Sequence, residues 1–307
     1  MHNYPEGVNT HAGIVMVGSA NMDIVLGVER IPAPGETVLA TSLAKHPGGK
    51  GLNQAVAAAR AGATTTMIGA VGTDENGNEL ETVMTEAGID ARMLRHVAEP
   101  TGTAMISVDT TGENAIIVAS GANATITTLT DNELDAVRGA TVLLMQLELP
   151  ISAVAQAARA ARSAGGTVML NAAPALEVPD ELIDALDYLI VNEHEATVLS
   201  GEADLSDASR SLADRVNRLV VTLGTQGSEL WDAGKLIATV PARRVTAVDT
   251  TGAGDTFCGA FAAAISQGRD FETAARFATA AAALSVQTHG AVPSIPHREQ
   301  IEAVLAS

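Results

Sequence analysis

Apolar positions in this chain fall into short strand-like runs that alternate with helical spacing, a rhythm that predicts a mainly parallel sheet. Ile14 to Gly18 reads as a buried strand, and Leu52, Val56 and Ala59 mark a helix over Gly51 to Ala63. Asp23 to Ala44 reads as strand, with Ile24, Leu26, Val28, Val38 and Leu39 around the turn signal Pro32-Ala33-Pro34-Gly35. Thr103 to Asp109 and Asn114 to Ser120 predict a hairpin across 110–113. Together these segments predict a small β-sheet lid made of two insertions, about 20–45 and 100–122. From Ala140, strands at Val142–Met145, Val168–Leu170, Tyr188–Val191 and Leu219–Leu223 alternate with helices near 151–164, 179–186 and 206–215. The last third predicts helices over 253–268, 271–287 and 297–305. With no polar linker, repeat or low-complexity tract, the expectation is one α/β domain over 1–307, a three-layer α/β/α fold carrying a lid.

Composition narrows this picture. The chain has 307 residues, 47% of them apolar and only 2% aromatic, so Ala, Val, Leu and Ile must build the core. The alanine-rich run Ala274 to Val286 is broken by Arg276 and Thr279, and no run is long enough to span a membrane. Met1 to Gly13 is polar and lacks a leader-like pattern. A lone Cys258 excludes an internal disulfide and suits a reducing compartment, so a cytoplasmic address is expected. A formal charge of −18 with no basic stripe argues against nucleic acid. An anionic substrate must then be met by local positive ends: a helix start, a lysine or a metal ion.

The motif Asp249-Thr250-Thr251-Gly252-Ala253-Gly254-Asp255-Thr256-Phe257 opens an apolar helix. Its free N–H groups could form an anion hole for a phosphoryl group, with Asp255 as base. A helix cap explains Asp255 about equally well. The loop Pro47-Gly48-Gly49-Lys50-Gly51-Leu52-Asn53-Gln54 lacks P-loop spacing; it is a turn with a solvated lysine, or a wall of a polar site. Asn21-Met22-Asp23, Glu148, Asn192-Glu193-His194-Glu195 and Thr222-Leu223-Gly224-Thr225-Gln226-Gly227 follow strands, where open α/β sheets bind ligands; turns and caps are their plain alternatives. Seven scattered histidines show no metal-ligand spacing, His194 fits a helix turn, and Cys258 reads as packing.

In combination, Gly-Gly-Lys-Gly-x-Asn-Gln, Met145-Gln146-Leu147-Glu148 and Asp-Thr-Thr-Gly-Ala-Gly-Asp-Thr-Phe resemble the ribokinase-like branch of the phosphofructokinase-B family of carbohydrate and nucleoside kinases. The resemblance covers essentially the whole chain. It implies ATP-dependent phosphorylation of D-ribose at O5, with Asn21, Asp23, Gly49, Lys50, Asn53, Glu148 and Asp255 at the sugar. Asp255 would be the base, beside an anion hole at Gly252, Ala253 and Gly254. It implies Asn192, Thr222 to Gly227, Gly254 and Thr279 on the nucleotide side, and Glu195 near Mg2+. Thr279 stands where relatives often carry His or Asn. A K+ site would draw on Asp249, Thr251, Ser285, Thr288, Gly290 and Ser294. Lids pair into a homodimer in such kinases.

The nearest alternatives are kinases of the same family acting on fructose, 2-keto-3-deoxygluconate or a nucleoside. The lid stretches 23–45 and 100–120 lack the aromatic residues that would stack a base. A silent sugar-binding regulator would be expected to lose Asp255 or the glycines, and neither is lost. An NAD-dependent oxidoreductase is disfavoured because Gly18-Ser19-Ala20-Asn21 is not G-x-G-x-x-G.

Overall fold

The computed structural model describes residues 13–306; the polar stretch before Gly13 lies outside them. The chain opens with β1 (Ile14–Val17), β2 (Asn21–Gly27) and β3 (Ser42–Gly48), then α1 (Lys50–Arg60). β4 (Thr65–Gly72), α2 (Glu75–Glu86) and β5 (Asp90–Val97) precede the hairpin of β6 (Gly102–Val108) and β7 (Asn114–Ala119). Next come α3 (Asp131–Arg138), β8 (Val142–Met145), α4 (Ile151–Ala164), β9 (Thr167–Asn171), α5 (Asp180–Ile183) and β10 (Tyr188–Asn192). α6 (Glu193–Ser200), α7 (Leu205–Ala213), β11 (Arg218–Thr222), β12 (Ser228–Asp232) and β13 (Lys235–Val240) follow. The chain closes with α8 (Ala253–Ser266), α9 (Phe271–Ser285), α10 (Ala291–Ser294) and α11 (Arg298–Ala306).

Nine strands form one sheet in the order β13-β12-β11-β10-β9-β8-β1-β4-β5, parallel except for β12 and β13. Alternation along each strand feeds two cores. In β8, Val142 and Leu144 pack under α1, α2, α8, α9 and α11, while Leu143 and Met145 face α3, α4, α5 and α7. This is the expected three-layer α/β/α arrangement. Small residues let α8 lie close to both α1 and α9. All four phenylalanines sit on α8 and α9, three of them clustered with Tyr188, whose ring meets Phe261 edge-on at 5.5 Å.

The order reverses at β1, which pairs with β8 on one side and β4 on the other. Such a switch leaves a crevice beyond the carboxyl ends of the strands. A second sheet, ordered β3-β2-β6-β7, rises from that end and is the expected lid.

Some elements differ from the sequence reading. Val38 and Leu39 belong to no strand; the 28–41 segment folds back through an Arg30–Glu36 ion pair, with Ala33 N donating to Glu36 at 3.0 Å. The helix expected near 179–186 is the single turn α5. β4, α2, β5, α3 and the antiparallel edge β12–β13 add to the elements expected from the sequence. No helix among the described residues is long and apolar enough to cross a membrane.

Candidate active site

Asp255 lies in the first turn of α8, whose N-cap is Gly252 at φ 73°, a left-handed conformation that suits glycine. Its carboxylate caps nothing, which overturns the capping alternative. The side chain instead reaches across to α1, where Asn53 Nδ2 donates to Oδ2 at 3.0 Å and Gln54 Nε2 to Oδ1 at 2.9 Å. The carboxylate is buried, 8% exposed, yet remains on the wall of a cavity.

Around it the lid root assembles the polar groups expected at the sugar. Glu148 Oε2 accepts from Ser19 Oγ at 2.5 Å and from Lys50 N at 3.0 Å, which leaves Oε1 for a ligand. Asn21 Oδ1 accepts from Asn123 Nδ2 at 2.8 Å, so the Asn21 amide presents its NH2 group. Asn123 also accepts from Ala20 N at 3.1 Å and so braces the turn between β1 and β2. Burial, then the Glu148 and Asp255 carboxylates, raise the Asp23 pKa to about 7 against the pull of Lys50.

Gly48 is where this cluster is tightest, because a Cβ there would stand 2.1 Å from Asp23 Oδ2. Gly48→Ala is therefore expected to displace Asp23 and raise the sugar KM about tenfold or more, with ATP KM nearly unchanged, as steady-state kinetics would show. Equal rises in both KM values would contradict that assignment.

The adjoining cavity, about 150 Å³, is lined by Lys50, Asn192, Glu195, Thr222 and the Gly252–Asp255 turn. Lys50, expected at the sugar, thus stands at the junction of both halves. The Asp255 carboxylate raises its pKa; burial opposes, and Glu148 and Glu195 add to the rise. Asn192 and Glu195 form a reciprocal capping box at the start of α6, so their plain structural role is real, and both still line the cavity. Burial raises the Glu195 pKa.

The structure separates other expected residues from this cavity. Leu223 to Gly227 form a tight turn beyond β11, with Leu223 N donating to Gly227 O at 2.8 Å, and do not line it. Thr279 sits buried on α9, also off the cavity wall, with its Oγ1 unpartnered. Cys258 lines the cavity, but burial, then Asp255 and Glu195, push its thiol well above the ordinary range, consistent with packing.

Asp249 ties together the segments expected to hold a cation. Its Oδ1 accepts from Thr251 N at 2.9 Å and its Oδ2 from Gly290 N at 2.8 Å. Burial opposes ionisation, but these bonds hold the carboxyl below its usual pKa. Thr288 N donates to Ser285 O, while the Ser285 and Ser294 hydroxyls donate to carbonyls of their own helices. No cluster of three or more His, Cys, Asp or Glu suited to a metal occurs among the described residues, and His194 lies in the first turn of α6.

Ser19, Asn123, Asn171, Gln146 and Gln54 add to the site residues expected from the sequence. Gln54 and Gln146 stood inside the motifs, and Asn171 ends a strand, which was a usable signal. Nothing local marks Asn123.

A strand-end cavity that combines helix-start amides, a lysine and a buried carboxylate is built to handle phosphoryl groups. The chain belongs to the pfkB family carbohydrate kinases, whose family profile matches residues 11–298. It is 41% identical to the ribokinase of Bacillus subtilis over 295 residues, covering 95% of this chain and 99% of that one. It is 38% identical to the ribokinase of Arabidopsis thaliana, covering 97% and 83%. The structure of Arabidopsis thaliana ribokinase complexed with ribose and ATP superposes with a TM-score of 0.90 at 37% identity, covering 96% of this chain and 98% of that one.

Proposed function

We propose that this chain transfers the γ-phosphoryl group of ATP to O5 of D-ribose, in the cytoplasm, as one kinase domain over 1–307. The observation that carries this reading is the seat of Asp255. It is an amide-braced carboxylate between the lid-root cluster and the cavity of the Gly252–Asp255 turn. The similarity to named ribokinases over nearly the full chain supports ribose as acceptor.

Ribose lies under the lid. Asn21 NH2, Asp23 and Glu148 Oε1 engage its hydroxyls, with Gly49, Lys50 and Asn53 completing the pocket. Asp255 accepts the proton of the attacking O5 hydroxyl. The amides of Gly252, Ala253 and Gly254 and the N-terminal dipole of α8 stabilise charge on the transferring group. Lys50 adds a positive charge between the two halves. Asn192, Thr222 to Gly227 and Thr279 are assigned to the nucleotide, with Leu223 to Gly227 and Thr279 lying beyond the cavity that Asn192 and Thr222 line.

Glu195 offers a buried-edge carboxylate that suits Mg2+, a hard, oxygen-seeking ion that neutralises phosphate charge when bound. Asp249, Thr251, Ser285, Thr288, Gly290 and Ser294 present oxygens alone, a donor chemistry that suits K+ beside the anion hole. The ion, when bound, tunes the potential at the turn.

Coupled ADP release with ATP, Mg2+ and K+ across ribose, fructose, 2-keto-3-deoxygluconate and nucleosides tests the reading. Ribose is expected to give the highest kcat/KM. Another winner would retain kinase chemistry and overturn the sugar assignment, and no turnover with any acceptor would favour a silent binding protein.

The lid also supports a homodimer. Register places Leu43, Met105 and Ile117 on the face opposite Asp23, and they are 66%, 43% and 73% exposed. β7 is a fully exposed edge strand. Ile117→Lys is expected to shift the protein from dimer to monomer in analytical ultracentrifugation; a monomeric wild type would remove the dimer.

A further inference from the structure

We infer that Gln54 and Gln146 form a buried, directional amide relay that positions the Asp255 carboxylate, an inference that rests on the kinase reading above. Gln54 Nε2 donates to Asp255 Oδ1 at 2.9 Å and to Asn171 Oδ1 at 3.0 Å. Gln54 Oε1 accepts from Gln146 Nε2 at 2.9 Å. Gln54 and Gln146 are fully buried and Asn171 is 7% exposed, so water does not substitute for these bonds.

The chemistry of Asp255 sets the direction. An ionised carboxylate only accepts, so Gln54 must turn its NH2 toward Asp255 and its oxygen toward Gln146. Gln146 must then offer its own NH2, and its Oε1 is left buried without a partner. Asn171 presents its oxygen to the Gln54 NH2 group, because its own Nδ2 is spent on Ile190 O at 3.2 Å. The Gln146 and Gln54 links therefore point donors toward the base while Asn171 accepts the second Gln54 proton, and none can reverse alone without setting oxygen against oxygen. The relay draws on α1, β9 and the chain just past β8, so three elements fix the Gln54 amide that holds one carboxylate oxygen, while Asn53 holds the other. Gln54 and Gln146 are positioning residues, since both act through Asp255.

Gln54→Met keeps the volume and removes the donor. In a folded variant, kcat is expected to fall by about 10- to 100-fold with ribose and ATP KM within about threefold. Gln146→Glu gives a sharper signature. Protonated, Glu at 146 can still donate to Gln54 Oε1; ionised, it cannot, and Gln54 must turn its oxygen toward Asp255. The kcat of Gln146→Glu should therefore match wild type at low pH and fall as pH rises, a loss absent from wild type.

Gln54→Met with kcat unchanged, or Gln146→Glu with a wild-type pH profile, would overturn the relay. Should Gln54→Met fail to fold, Gln146→Glu decides. Should wild type turn over no acceptor, the kinase reading fails, and the relay is judged separately by NMR. The Gln54 side-chain amide protons should exchange slowly in wild type and faster in Gln146→Glu at high pH; equal exchange overturns it.

Discussion

Asp255→Asn is expected to lower kcat by about 10²- to 10⁴-fold while ribose still binds, the range spanned by a positioned general base. The substitution keeps the shape and the polar character of the side chain but removes its ability to take a proton. Asn53 and Gln54 now aim amide donors at both carboxylate oxygens, and one of those donors would face the new NH2 group. A modest loss of order at the turn therefore accompanies the loss of the base. ATP affinity should hold or improve, because one negative charge leaves the wall of the Lys50–Glu195 cavity. Coupled ADP release gives kcat, and calorimetric titration gives ribose and ATP affinity separately. A variant with wild-type kcat would reduce Asp255 to a packing residue and end the proposed mechanism.

Asp23 makes the second large effect, and its sign depends on pH. Its pKa in the fold is about 7, against 3.8 as its ordinary value, so between those values the folded protein holds a proton that the unfolded chain has released. Stability contributed by this group is thus complete below about pH 4 and lost as pH rises through 7, with an upper bound of about 4 kcal/mol. Asp23→Asn should flatten that share of the slope when Tm is followed from about pH 5 to 8. In the proposed mechanism ribose reverses the preference, because its hydroxyls would donate to the ionised form. Sugar binding should therefore release a proton near neutrality, visible as a buffer-dependent heat, and ribose KM should fall as pH rises through 7. A hydrogen bond to a charged group contributes about 1.5–3 kcal/mol, so Asp23→Asn should weaken ribose about 10- to 100-fold near pH 8 and much less near pH 5.5. A variant equally impaired at both pH values would show that Asp23 binds ribose uncharged.

Elements were legible in the sequence where the signal is local. The Gly252–Asp255 turn and the Gly48–Lys50 loop each combine small residues, a helix start and a polar group within a few positions, and the strand–helix rhythm from Ala140 needs only neighbouring residues. The reading failed where a segment's fate depends on distant partners. Val38 and Leu39 have strand character, yet no neighbouring strand reaches them and a local ion pair folds their segment outward. Asn123 carries no local mark, because its importance comes from Ala20 and Asn21, 103 and 102 residues away.

What the sequence determined by itself is the alternation that makes a three-layer fold, the family, and the identity of Asp255 as the residue to test. Whether Asp255 caps its helix or serves as a base was open at that level, because both need an Asp at a helix start. The tertiary structure removed the capping role, by bringing Asn53 and Gln54, 202 and 201 residues away, onto the two carboxylate oxygens. The same holds for the proton on Asp23: burial and two neighbouring carboxylates create it together, and fields of that kind exist only after distant segments meet.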